Sequence, residues 1–189
     1  MSQNSEIEEK HHALVLKVAA DSVAHGVERR EPLVVEPADY PAPLQESRAV
    51  FVTLTIGDRL RGCIGTLESL RPLIVNTAEY AYAAAFRDSR FEPVTRAEYS
   101  RLQYHVSVLS PPESLPCDSE ADLIQKIRPG IDGLILEEGS CRGTFLPSVW
   151  EDLTDPAEFV RRLKIKAGMP ERGWPDTIHV RRYTAQSIG

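Results

Sequence analysis

The sequence predicts an α+β protein with a mostly antiparallel β-sheet flanked by helices. Two observations support this fold class. Segments with alternating apolar residues are joined by short turns, as in β-hairpins, and segments with apolar residues at helical spacing lie between them. With 189 residues, of which 42% are hydrophobic, the chain can form a substantial core. This length corresponds to one domain, or to one domain with a small additional lobe.

The N-terminal quarter predicts a helix followed by an extended arm. Ser5 and Glu8 have the spacing of a capping box. Apolar residues then recur at helical spacing over 7–19, and Gly26 is predicted to end the helix. Residues 31–47 contain four prolines, which exclude a helix and favour an extended, ordered arm or linker.

The next two elements are a hairpin and a helix. Apolar residues alternate along 50–56, and Gly57-Asp58 is a suitable two-residue turn. The returning strand passes through the segment Arg-Gly-Cys-Ile-Gly at 61–65. Residues 71–86 predict a helix that begins near a proline. Its five alanines indicate close packing against the sheet.

The second half of the chain continues the alternation of strands and helices. Prolines and glycines at their ends separate five further elements. These are a strand before Pro111-Pro112, a short helix over 119–127, a hairpin over 132–147 that turns at Glu138-Gly139, a helix over 155–168 and a last strand over 177–183.

Composition limits the classes of function. The net charge of −6 argues against general attraction to nucleic acids or membranes. Residues 158–189 nevertheless carry seven basic and three acidic side chains, which predicts a modest basic surface. The three cysteines are widely spaced without a Cys-x-x-Cys pair, so neither a disulfide framework nor a metal site is predicted. With no secretory leader and no membrane-spanning stretch visible, we expect a cytoplasmic protein.

The segment 61–65 is the first candidate for chemistry. Its glycines allow a left-handed backbone or a close backbone approach, and such geometry can direct main-chain N–H groups at an anion. The charge of Arg61 favours a thiolate at Cys63. That thiol could be a nucleophile, a metal ligand or a redox-sensitive group. The alternative is a β-bulge with a small cysteine that packs as an apolar side chain.

Two other positions could contribute to a site. Asp88 and Arg90 lie just beyond the predicted helix and form either a structural brace or an arginine clamp for a carboxylate or phosphate. His105 lies on the third predicted strand. It is a candidate general base for Cys63 if the two strands are neighbours, although a strand histidine is often only hydrogen-bonded.

The string LRGCIGTLE at 60–68 resembles the signature of the AMMECR domain family. The resemblance extends over about 10–185, because further strings follow in the family's order: FRDSRFEPV, VSVLSPPE, DGLILEEG, GTFLPSVWE and FVRRLKIKAGMP. It implies a single domain over 1–189 with a larger and a smaller lobe, and no firmly assigned activity. Relatives in many prokaryotes are encoded near, or fused to, Memo-like and radical-SAM proteins, which implies that this chain is one component of such a system.

The resemblance leaves two hypotheses of function. In the first, Cys63 attacks or holds a small anionic substrate, while the surrounding groups bind it: Arg61, Gly62, Ile64, Gly65, Asp88 and Arg90. The sequence does not indicate whether this pocket holds a cofactor. In the second, the chain is a non-catalytic module that docks partner proteins through the same groove or through the basic C-terminal surface. Trp150 and Trp174 are candidate anchors for that contact, or alternatively core residues.

Overall fold

A computed structural model describes residues 6–189, which divide into two compact units. Unit 1 comprises residues 6–111 and 186–189, and unit 2 comprises residues 112–185. The capping box predicted at Ser5 and Glu8 includes a residue outside the described range. Each unit has a four-stranded sheet with helices, so the α+β prediction is confirmed. The single-domain organisation over 1–189 stays a prediction.

The elements are named in chain order. The helices are α1 (His12–Arg29), α2 (Ala42–Gln45), α3 (Leu73–Phe86), α4 (Arg96–Tyr99), α5 (Glu120–Lys126) and α6 (Pro156–Lys166). The strands are β1 (Val50–Ile56), β2 (Arg59–Gly65), β3 (Gln103–Leu109), β4 (Glu113–Ser114), β5 (Gly133–Glu138), β6 (Cys141–Phe145), β7 (His179–Tyr183) and β8 (Ala185–Ile188). Short 3-10 turns occupy 9–11, 37–39 and 147–151.

The sheet of unit 1 has the strand order β2-β1-β3-β8, with β2 at one edge. The alternation predicted along β1 is observed, because Val50, Val52 and Leu54 are fully buried on one face. This face packs against α1 and α3 in one hydrophobic core. Thr53 lies on the opposite, half-buried face together with Phe51.

Two predictions for the N-terminal region were wrong. Gly26 does not end α1, which continues to Arg29 and ends where Arg30 adopts a left-handed conformation with φ 63°. A Cβ at Gly26 would lie 2.4 Å from the ring of Phe86, so the glycine permits close helix packing. The proline-rich arm contains α2, and Leu44 within it is fully buried. The arm is ordered and packed on the core of unit 1, as expected, but it includes a short helix that the prolines were predicted to exclude.

The sheet of unit 2 has the strand order β4-β7-β5-β6 and packs against α6. Trp150 is 5% exposed and stacks on Phe159 with ring centroids 3.9 Å apart. Its indole nitrogen donates a hydrogen bond to the Asp132 carbonyl at 2.7 Å. Trp150 is thus a core residue, which is one of the two alternatives that the sequence left open for it.

Within residues 6–189, no helix combines the length and the hydrophobicity needed to traverse a bilayer.

Candidate functional site

The two glycines of the segment 61–65 are required by close packing. A Cβ at Gly62 would lie 2.0 Å from the carbonyl oxygen of Ala84 in α3, and one at Gly65 would lie 2.2 Å from the carbonyl oxygen of Val50. Neither glycine has a positive φ. A β-bulge at Arg61 shifts the β1–β2 register. The glycines therefore allow close approach, with no need for a left-handed backbone.

Cys63 is half-buried on the face of the sheet opposite the core. The Thr53 hydroxyl, directly opposite on β1, donates a hydrogen bond to its Sγ atom at 3.1 Å. The main chain of Cys63 points to the open edge of β2. Its N–H donates to Asp88 Oδ2 at 2.9 Å, and its carbonyl accepts from Arg90 Nη2 at 3.2 Å.

Asp88 and Arg90 form a bidentate ion pair that we call the edge clasp. Arg90 Nε donates to Oδ1 at 2.9 Å, and Nη2 donates to Oδ2 at 2.7 Å. Asp88 is only 8% exposed. Hydrogen bonds from Arg90, together with the backbone N–H of Cys63, hold the pKa of Asp88 well below its usual value despite desolvation. The edge clasp occupies the main-chain groups at which another strand could pair, and its geometry is that of a brace.

Arg61 is engaged in a second ion pair. Its Nε and Nη2 atoms donate to the Glu98 carboxylate at 2.8 and 3.1 Å. Glu98 also closes a capping box with Thr95 at the start of α4. The Arg61 hydrogen bonds, followed by those from Thr95, lower the pKa of Glu98 to about 2. The guanidinium lies 5.9 Å from the Phe91 ring centroid, so Arg61 fastens α4 and the loop before it to β2.

His105 does not lie beside Cys63. Thr53 pairs with Cys63 on one side and with His105 on the other, so β1 separates β2 from β3. Two strand spacings amount to about 10 Å, beyond hydrogen-bond reach of the thiol. The condition for a general base at this position, neighbouring strands, is therefore not met. Within residues 6–189, no group of three or more potential metal-ligating side chains is found.

The basic side chains of residues 158–189 are largely matched by carboxylates. Arg161 pairs with Glu158 and Glu171, and Arg162 also pairs with Glu158. Acids from earlier segments neutralise others, as in the pairs Lys164–Glu120, Arg181–Glu137 and Arg182–Glu113. The predicted basic surface is therefore much weaker than its composition indicates.

Comparison with known proteins identifies the family. Residues 16–188 match the AMMECR1 family profile. The chain belongs to the AMMECR1 family. A relative from Methanothermobacter thermautotrophicus is 44% identical over 152 residues, 79% of each chain. Another from Methanocaldococcus jannaschii is 40% identical over 158 residues, 82% of this chain and 78% of the relative. These matches confirm the resemblance predicted from LRGCIGTLE.

A solved structure shows the same fold. The crystal structure of an uncharacterized protein from Pyrococcus horikoshii superposes with a TM-score of 0.86 at 33% identity. The match covers 96% of this chain and 92% of that protein. None of these three archaeal proteins has a name that states an activity, so the chemistry must be inferred from side-chain geometry.

Unit 2 contains an apolar groove around Trp174; the sequence named Trp174 as a candidate anchor but did not predict the groove. We call it the Trp174 groove; its volume is about 240 Å³, and it is lined by Met169, Pro170, Arg172, Gly173, Trp174 and Pro175, with Lys164 beneath. The Trp174 indole N–H donates to the Cys117 carbonyl at 3.4 Å. A sequence signal existed, because the tryptophan stands among two prolines and one glycine at 170–175, but this segment has no periodic pattern.

Proposed function

We propose that this AMMECR1-family chain is a non-catalytic docking component of a Memo-like and radical-SAM associated system, and that it binds a partner protein through the Trp174 groove. One contrast supports the proposal. Beside Cys63, Arg61 and Arg90 are each paired with a carboxylate, although Arg61 Nη1 is buried without a hydrogen-bond partner among residues 6–189. The Trp174 groove instead combines an apolar lining with the exposed guanidinium of Arg172. Among residues 6–189 no ion pair of Arg172 is found.

The Trp174 groove has a rigid base. Lys164 is 1% exposed, and its ammonium contacts the Glu120 carboxylate at 2.6 Å. The same nitrogen donates to the carbonyls of Glu171 and Gly173, both at 2.9 Å. These bonds fix the loop that carries Trp174, so little conformational entropy is lost when a partner binds.

The lining of the groove indicates the chemistry of its occupant. A cavity of about 240 Å³ beside Trp174 accommodates a large apolar side chain. Arg172 is suited to a neighbouring carboxylate, and tryptophan and arginine are the residue types that dominate binding energy in protein interfaces. The occupant is therefore a partner segment that carries a leucine-sized or aromatic side chain next to an aspartate or glutamate.

A Cys63-centred pocket for a small anionic ligand is the second candidate function. The half-buried position of Cys63 and the hydrogen bond that its thiol accepts from Thr53 favour it. Against it, Arg61 and Arg90 are already paired with carboxylates, so an anionic ligand would have to displace an intramolecular partner. The cytoplasmic location remains part of the proposal and is supported by three free thiols.

We expect Trp174→Ala to weaken partner binding at least about tenfold, because the main apolar contact is lost. Arg172→Glu should have a comparable effect through repulsion of the partner's carboxylate. The measurement is isothermal titration calorimetry with the purified Memo-like and radical-SAM proteins of the same genome. Arg59→Glu, an exposed change on β2, is the matched control and should bind normally.

Two outcomes would contradict the proposal. In the first, neither purified protein binds the wild-type chain at micromolar concentrations. In the second, a complex forms but Trp174→Ala, with unchanged circular dichroism, binds as tightly as the wild type.

A further inference from the structure

A second groove lies on unit 1 and plays no part in the proposed docking function. Its volume is about 300 Å³, and it lies between the loop that follows β2 and the exposed side of α3. We call it the mixed-charge groove. Its lining includes Glu68, Leu70, Arg71, Glu79, Tyr80 and Arg87.

The loop along this groove is anchored to the rest of unit 1. The Asn76 side chain, 3% exposed, donates hydrogen bonds to the carbonyls of Arg48 at 2.8 Å and Arg71 at 3.4 Å. Leu73 N–H donates to the Glu46 carbonyl at 2.8 Å, next to a bridge between Ser47 and Pro72. The backbone of Arg71 is thereby held in place at the mouth of the groove.

The charges of the mixed-charge groove are balanced but incompletely paired. Arg87 and Glu79 share a single contact of 3.3 Å, and the Arg87 guanidinium also lies over the Tyr82 ring at 4.9 Å. Arg71 and Glu68 are exposed, and among residues 6–189 no ion pair is found for either side chain. The groove therefore presents one unmatched cation and one unmatched anion.

An apolar surface lies beside these charges. Leu70 is 78% exposed, an unusual exposure for leucine, and Tyr80 is half-buried in the groove wall. Ala83 forms part of the floor with 6% exposure. A small ligand in this groove would thus meet opposite charges and one apolar contact at the same time.

We propose that the mixed-charge groove binds a zwitterionic ligand of dipeptide size, with its carboxylate on Arg71, its ammonium on Glu68 and an apolar side chain against Leu70 and Tyr80. Arginine binds carboxylates in bidentate geometry, and a glutamate accepts hydrogen bonds from an ammonium. A purely anionic or purely cationic ligand would leave one of the two charges without a partner.

The test is an NMR titration of the full chain, labelled with ¹⁵N, against three probes. These are the dipeptide Ala-Leu, its N-acetyl form without an ammonium group, and its C-terminal amide without a carboxylate. We expect Ala-Leu to shift amide signals of residues 66–87 in a saturable manner. Each blocked form should bind at least about fivefold more weakly.

Variants at Arg71 and Glu68 test which side chain binds which end of the dipeptide. Arg71→Gln and Glu68→Gln should each weaken Ala-Leu binding about fivefold, whereas Arg59→Gln, exposed outside the groove, should bind as the wild type. The proposal is overturned if Ala-Leu causes no saturable shift at residues 66–87 up to its solubility limit. It is also overturned if both blocked forms bind as tightly as Ala-Leu itself. Because no partner protein takes part, either failure is independent of the docking proposal.

Discussion

Gly62→Ala is expected to destabilise the fold by about 3 kcal/mol or more, because it places a methyl group inside the α3 backbone. The added Cβ would lie 2.0 Å from the Ala84 carbonyl oxygen and 2.9 Å from its carbon. Neither atom belongs to a flexible side chain that could rotate away. Relief requires α3 to move off β2, which opens the core that both elements share.

Urea unfolding followed by circular dichroism measures this effect directly. The control is Arg59→Ala, an exposed position on the same strand, which should change the free energy of unfolding by no more than about 0.5 kcal/mol. If Gly62→Ala unfolds at the wild-type urea concentration, the contact between β2 and α3 is not as close as described, and the packing explanation of the motif is wrong.

The second large effect is expected at the edge clasp. Asp88→Ala should lower the free energy of unfolding by about 2 kcal/mol, because it leaves the Cys63 N–H without its acceptor and removes the partner of Arg90. Arg90 is 55% exposed in its side chain, so water compensates for part of the lost ion pair. Equilibrium unfolding in urea at neutral pH measures this loss of unfolding free energy. A free energy of unfolding equal to that of the wild type would show that the edge clasp is not a structural element.

The pH dependence of Asp88→Asn tests the charge of the edge clasp. The pKa of Asp88 in the folded chain lies below its ordinary value, so the ionised carboxylate stabilises the fold at pH values above that ordinary value. The difference in unfolding free energy between wild type and Asp88→Asn should be constant from neutrality to about pH 5 and should decrease below about pH 4. Glu98 is present in both chains and cancels in the difference. A gap that does not change with pH would contradict a charged clasp.

Local signals predicted much of unit 1. Alternation and a two-residue turn specify β1 and β2, and the close packing indicated by the alanines of α3 is observed at Ala84. The order of the strands is not a local property. Whether His105 lies next to Cys63 depends on which strand occupies the middle of the sheet, and hairpin signals do not encode the position of β3. Short strands such as β4 carry too few residues for a recognisable period.

The roles of single side chains depended on contacts distant in sequence. Cys63 and its acceptor Asp88 are 25 residues apart, and Arg61 and Glu98 are 37 apart. Motif spacing therefore grouped these residues without distinguishing a brace from a binding clamp. The groove around Trp174, as distinct from Trp174 itself, was not predicted for another reason. Its base is Lys164, and lysine is so seldom fully buried that sequence reasoning assigns it to the surface.

We propose that the Arg-Gly-Cys-Ile-Gly segment stabilises unit 1, whereas the Trp174 groove binds the partner. Calorimetric titration of the Memo-like and radical-SAM proteins into Cys63→Ser and Trp174→Ala, side by side, tests it most directly. We predict that Cys63→Ser binds with wild-type affinity while Trp174→Ala binds at least about tenfold more weakly. Loss of binding in Cys63→Ser with full binding in Trp174→Ala would contradict the claim and place the function at the thiol.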